Sequence, residues 1–232
     1  MSLVAIYYVG AIGVLLPLAC VRSYFKFKAG TPIPAKYLQR LNALVMHATM
    51  FVVAFLTWRS LRFLMFERAV IGGKEIGYGF ATLIAFLAPM IPLWKMRAMT
   101  HAEKIYRSMP QASNEMWLWA VVSASAGIVE EIVYRGVLFG ILDYWLKNWW
   151  AAAILCAIAF ALGHSIQGWK GVAIIFVMSV IFQGLVYLTG TLYVAMAVHA
   201  TYDFIAGVMY LYFWNHGAKE KFAAATAASG AV

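Results

Sequence analysis

A chain of 232 residues that is 64% hydrophobic, 12% charged and has a mean hydropathy of +0.80 is too apolar for an ordinary soluble domain, which sits near half apolar and a quarter charged. Its formal charge of +9 does not point to nucleic acid, because the Lys and Arg residues lie in short segments between apolar runs rather than on one face or tail. Composition therefore excludes a soluble enzyme or nucleic-acid binder and leaves a polytopic membrane protein.

A transmembrane helix needs roughly 20 mostly apolar residues. On that rule the fold class is all-α: a polytopic transmembrane bundle of about seven spans, at 3–20, 41–58, 77–94, 117–145, 149–167, 171–189 and 191–213. The first stretch lacks the basic region of a signal peptide and is expected to be a retained helix. Cys20 and Cys156 fall within apolar spans with no pairing pattern, so they read as small core hydrophobes. Trp58, Trp94, Trp117, Trp119, Trp145, Trp149, Trp150, Trp169 and Trp214 cluster near span ends, as in an interfacial belt. No repeat or linker divides the chain. Residues 1–214 are expected to form one bundle with its catalytic core at 117–213, and 215–232 to be a disordered polar and Ala-rich tail.

The basic residues also give an orientation. Segments 21–40, 95–116, Lys170 and the tail hold twelve Lys and Arg residues on one side, against five around 59–74 and at Lys147 on the other. That bias places the N-terminus outside and the C-terminus in the cytoplasm; in a prokaryotic cell the membrane is then the cytoplasmic one. The stretch 59–76 can alternatively lie in the interface as a helix of its own.

Three groups of ionisable residues interrupt the apolar spans. In Val129-Glu130-Glu131-Ile132-Val133-Tyr134-Arg135-Gly136, two carboxylates and a guanidinium sit in membrane-grade sequence. Each costs at least ~2.5–3.5 kcal/mol at a helix centre on insertion scales, so function is the default reading. On a helix Glu131 and Arg135 share a face and can pair, while Glu130 lies about 100° away and is left for another partner. In Phe160-Ala161-Leu162-Gly163-His164 the Phe160 ring can roof the imidazole. His199-Ala200-Thr201-Tyr202-Asp203 again sets two ionisable groups on one face. Taken singly, a buried ion pair, a packing histidine and a local His–Asp hydrogen bond are adequate explanations; their occurrence together is not explained that way. Glu130 and His164 are also nearly equidistant from the Lys147–Asn148 turn, which sets them level in a helical hairpin, about 25 Å from its end.

These stretches resemble the signature of the CPBP (Abi/CAAX protease and bacteriocin-processing) family of intramembrane proteases, which includes type II CAAX prenyl endopeptidases. The family pattern is Glu-Glu-x-x-x-Arg, Phe-x-x-x-His and His-x-x-x-Asn/Asp on successive core helices; here it reads Glu130-Glu131…Arg135, Phe160…His164 and His199…Asp203. The resemblance covers about 120–210. It implies an endopeptidase in which Glu130 and His164 activate water, and His199 with the residue at 203 stabilises the oxyanion. It further implies that Glu131, Arg135 and Phe160 hold the site, with Arg135 touching the substrate's carboxylate end. Many relatives carry Asn at the last position; Asp203 donates only when protonated and, ionised, would instead orient His199.

Glu130, His164, His199 and Asp203 are also, by chemistry, a possible zinc set. There is no His-Glu-x-x-His, the resemblance family has been described both with and without a metal, and metal-independent water activation is the expectation, with no cofactor. The expected partners are the lipid bilayer and a protein or peptide with a membrane-embedded or lipidated segment. Other intramembrane proteases fit poorly: Gly-x-Gly-Asp is absent, Asp143 is the only other Asp, and no Gly-x-Ser context accompanies a histidine. The remaining alternative is a non-catalytic membrane protein, either an ion or proton pathway or an immunity-type protein that binds a peptide.

Overall fold

The structure, a computed structural model, describes residues 2–61 and 71–229. Among them no strand occurs, and the helices in chain order are α1 (Leu3–Lys28), α2 (Lys36–Leu61), α3 (Gly73–Thr100), α4 (Ala102–Tyr106), α5 (Ser113–Leu146), α6 (Trp149–Gly163), α7 (Trp169–Thr189), α8 (Leu192–Phe213) and α9 (Lys219–Ser229). Six helical runs among the described residues are long and apolar enough to cross a membrane, the last beginning at Leu192; α6, with 15 residues, is a shorter apolar helix. The chain is thus an all-α polytopic bundle. Many large apolar side chains, among them Leu15, Leu56, Phe80, Ile84 and Leu188, are exposed, as a lipid-facing surface requires.

Several boundaries differ from the hydropathy windows. α1 continues past residue 20 to Lys28, and α3 begins before 77 and runs past 94 to Thr100. A helix keeps its hydrogen bonds after its side chains turn polar, so it outlasts the apolar window. α6 stops at Gly163 instead of 167, because His164 leaves helical geometry (φ −102°, ψ 15°) and a single 3₁₀ turn follows at Ser165–Gln167. The tail expected to be disordered is helical over Lys219–Ser229. Of the stretch 59–76 considered as an interfacial helix, 59–61 end α2 and 73–76 begin α3, while 62–70 lie outside the described residues.

Local chemistry fixes the turns that align the core helices. Lys147 is left-handed (φ 53°), and the Asn148 side chain then accepts the Ala151 N–H at 3.0 Å to start α6. Gly190 (φ 64°) closes α7, and Thr191 Oγ1 accepts the Tyr193 N–H at 3.3 Å to start α8.

α5 and α8 meet closely at Gly127, where a β-carbon would lie 2.5 Å from the Ala200 backbone nitrogen. Higher up, Trp119 Nε1–H donates to the Asp203 carbonyl at 2.9 Å. These contacts bring the 130–135 and 199–203 stretches side by side. One apolar cluster, including Tyr8, Val133, Val137, Leu138, Cys156 and Phe160, lies on one side of them; another, including Phe86, Trp94, Phe182, Val198 and Tyr202, lies on the other.

Candidate active site

α5 is not a plain α-helix where its charges sit. Glu131–Leu138 forms a π-helical turn, a feature the apolar window does not reveal and one that often marks functional sites. The wider turn changes which carbonyls are bonded within the helix. The buried Tyr8 hydroxyl of α1 donates to the Val133 carbonyl at 3.0 Å, so the distortion is supported from another helix.

Glu131 is fully buried. Its Oε1 accepts the His199 Nδ1–H at 2.8 Å and lies 3.2 Å from Arg135 Nη1. Arg135 Nη2 donates to Ser179 Oγ at 2.8 Å, and the guanidinium lies over the rings of Phe160 and Phe182, 4.3 and 5.5 Å from their centroids. Arg135 is 3% exposed within this cage. Its geometry is that of a brace: it compensates Glu131, which holds His199. A buried charge of this kind is tolerable only with such partners.

That arrangement also bears on the role considered for an ionised Asp203. The His199 ring is held at Nδ1 by Glu131, while Asp203 Oδ2 lies 3.7 Å from Nε2, beyond hydrogen-bond distance. The i, i+4 spacing puts Asp203 beside the ring, on the side that faces the site. Phe182 covers the ring at 5.4 Å between centroids.

His164, at the end of α6, donates Nδ1–H to the Phe160 carbonyl at 2.8 Å, and the Phe160 ring lies 4.6 Å from it. With Nδ1 so engaged on both rings, the Nε2 atoms of His164 and His199 point toward Glu130. They lie 3.9 and 3.8 Å from Glu130 Oε2, an oxygen buried without a hydrogen-bond partner among the described residues. Glu130, His164, His199 and Asp203, drawn from three helices, therefore converge on one point. The side chains of His164 and Asp203 are 28% and 33% exposed, against 10% for Glu130, so the cluster opens on their side.

Sequence reasoning missed one member. His47 of α2 places Nε2 3.3 Å from Glu130 Oε1 and Nδ1 2.9 Å from Ser125 Oγ. A solitary histidine on an apolar helix gives no local sign of this. Phe182 and Ser179 were likewise unmarked, being ordinary residues in an apolar span.

The donor atoms suit zinc in kind but not in placement. Among the described residues, no group of three His, Cys, Asp or Glu side chains is arranged to hold a metal ion. The chemistry this cluster suits is proton transfer: a carboxylate oxygen without a hydrogen-bond partner among the described residues lies within 3.9 Å of two imidazole nitrogens.

The family model described as "Rce1-like: Type II CAAX prenyl endopeptidase Rce1-like" matches residues 112–205, the segment that contains all three motifs. The match bears out the resemblance to CAAX-type intramembrane proteases over that segment. No curated protein and no solved structure matches the chain.

Proposed function

We propose that the protein is an intramembrane endopeptidase that hydrolyses a peptide bond in a membrane-associated or lipidated protein, using water activated by Glu130 and His164. The observation that carries this reading is the convergence of Glu130 Oε2 with two Nε2 atoms whose orientation is set by Phe160 and Glu131. The family match over 112–205 supports a substrate embedded in or attached to the bilayer.

In this mechanism a water hydrogen-bonds to Glu130 Oε2 and His164 Nε2. Glu130 takes one proton as the water oxygen bonds to the scissile carbonyl carbon, and the carbonyl π electrons move to its oxygen. The oxyanion faces His199, which donates from a protonated Nε2 while Nδ1–H stays on Glu131. Collapse restores the carbonyl and breaks the C–N bond. The electron pair goes to nitrogen, which receives the proton held by Glu130, leaving a carboxylic acid and an amine. Asp203, beside His199, offsets the imidazolium charge. Deep burial strengthens these interactions relative to water.

The test uses purified protein in proteoliposomes with a quenched-fluorescent peptide bearing a farnesylated cysteine near its C-terminus. A mass-spectrometric comparison of new termini in membrane proteins of cells expressing the wild type or Glu130→Gln runs alongside it. Termini produced by the wild type and absent with Glu130→Gln are expected. Identical termini, together with no peptide cleavage, overturn the reading, and ion flux through the same proteoliposomes abolished by Glu130→Ala would replace it with a proton or ion pathway.

A further inference from the structure

The proposed mechanism uses one oxygen of Glu130, and the second is held from outside the matched segment. His47 is 4% exposed on α2, far in sequence from the three motifs. Its ring bridges two groups of α5: Nδ1 is 2.9 Å from Ser125 Oγ, and Nε2 is 3.3 Å from Glu130 Oε1. Ser125 has one hydroxyl proton, and that is donated to the Val122 carbonyl at 2.9 Å. Ser125 Oγ is therefore the acceptor and His47 Nδ1–H the donor. The remaining ring nitrogen, Nε2, faces Glu130 Oε1.

We propose that His47 is a positioning residue for Glu130, with Ser125 fixing its ring. The inference rests on the endopeptidase reading above. A carboxylate's terminal torsion is broad and roughly two-fold, so nothing within Glu130 itself decides which way its oxygens point. Anchoring Oε1 on His47 turns Oε2 toward His164 and His199, where the base must be. The first half of the chain thereby supplies a part of the site, through α2.

Steady-state cleavage in proteoliposomes tests this, using the farnesylated peptide or, if that is not cut, a peptide spanning a terminus found in the proteome comparison. For His47→Ala, kcat is expected to fall about 10- to 100-fold with KM within a factor of about two, the signature of lost alignment in the transition state. His47→Gln keeps an N–H donor of similar reach and is expected to recover a large part of the loss. Ser125→Ala should lower kcat several-fold at unchanged KM, and it carries the test should His47→Ala fail to fold. Unchanged kcat in the folded variants, a loss confined to KM, or no rescue by Gln would overturn the proposal. Failure of the wild type itself to cleave any peptide would instead overturn the endopeptidase reading, so the two failures are distinct.

Discussion

Adjacent glutamates in one buried turn carry different burdens. Glu131 Oε1 is engaged by His199 and by the Arg135 guanidinium, whereas Glu130, held at Oε1 by His47, turns Oε2 toward the Nε2 atoms of His164 and His199 without a hydrogen bond to either. Glu131→Gln leaves the Arg135 charge uncompensated in the interior, a change that typically costs 3–5 kcal/mol. The protein is therefore expected to show a sharply lowered unfolding temperature in detergent, with cleavage lost as a consequence. Glu130→Gln removes a base and leaves that brace intact. Its unfolding temperature is expected to stay much nearer the wild type while cleavage falls by about 10²–10⁴-fold. Equal destabilisation by both substitutions would contradict this division of roles. A chelator separates a further pair of possibilities: because the donor atoms are not arranged to hold an ion among the described residues, cleavage is expected to persist in excess chelator. Loss of activity restored by added zinc would show that a metal organises the site after all.

The helices impose their own requirement through the crossing of α5 and α8. Gly127 lies where a β-carbon would be 2.5 Å from the Ala200 nitrogen, so any side chain pushes the two helices apart. Gly127→Val is expected to destabilise the fold by about 1–3 kcal/mol. In the fraction that folds, moving Glu130 relative to His199 by about 1 Å should cost on the order of 100-fold in kcat. Gly184→Ala on α7, where an added β-carbon meets nothing within 4 Å, should leave both measurements unchanged. Helix-level features also show what the sequence can and cannot disclose. Apolar windows reveal the spans because the bilayer sets their length, and the three motifs stand out because charge is costly there. The π turn at Glu131–Leu138 is invisible in composition, and the contact made to it by the Tyr8 hydroxyl, at the Val133 carbonyl, comes from 125 positions away. His47 is equally silent: its bond to Glu130 spans 83 positions and exists only once α2 packs against α5. For Arg135 the charge was legible, but its seat between two rings depends on Phe182 of α7.

Across the whole molecule, contacts show which segments share an end of the bundle, and charge then decides which side that end faces. Lys36 and Arg40, at the start of α2, pair with Glu115 at 3.2 and 2.8 Å, tying α2 to the start of α5. Tyr106 of α4 meets Trp214 beyond α8 with ring centroids 4.7 Å apart, and Tyr24 of α1 meets Trp169 at the start of α7 at 5.9 Å. The basic segments near 21–40, 95–116 and 170, together with the tail, therefore lie at one end. The opposite end carries the Lys147 turn, where Trp149 meets Tyr187 at 5.4 Å. Positive charge is retained on the cytoplasmic side during insertion, so the end holding Lys36, Lys170 and Lys219 is expected to face the cytoplasm. In a background with Cys20 and Cys156 replaced by Ala, Lys147→Cys and Lys219→Cys place single thiols at exposed positions on opposite ends. A membrane-impermeant maleimide applied to right-side-out vesicles should label the first at once and the second only after permeabilisation. The reverse pattern would invert the bundle. It would also move the open side of the cluster, at His164 and Asp203, to the other half of the membrane and change which end of a substrate could reach Glu130.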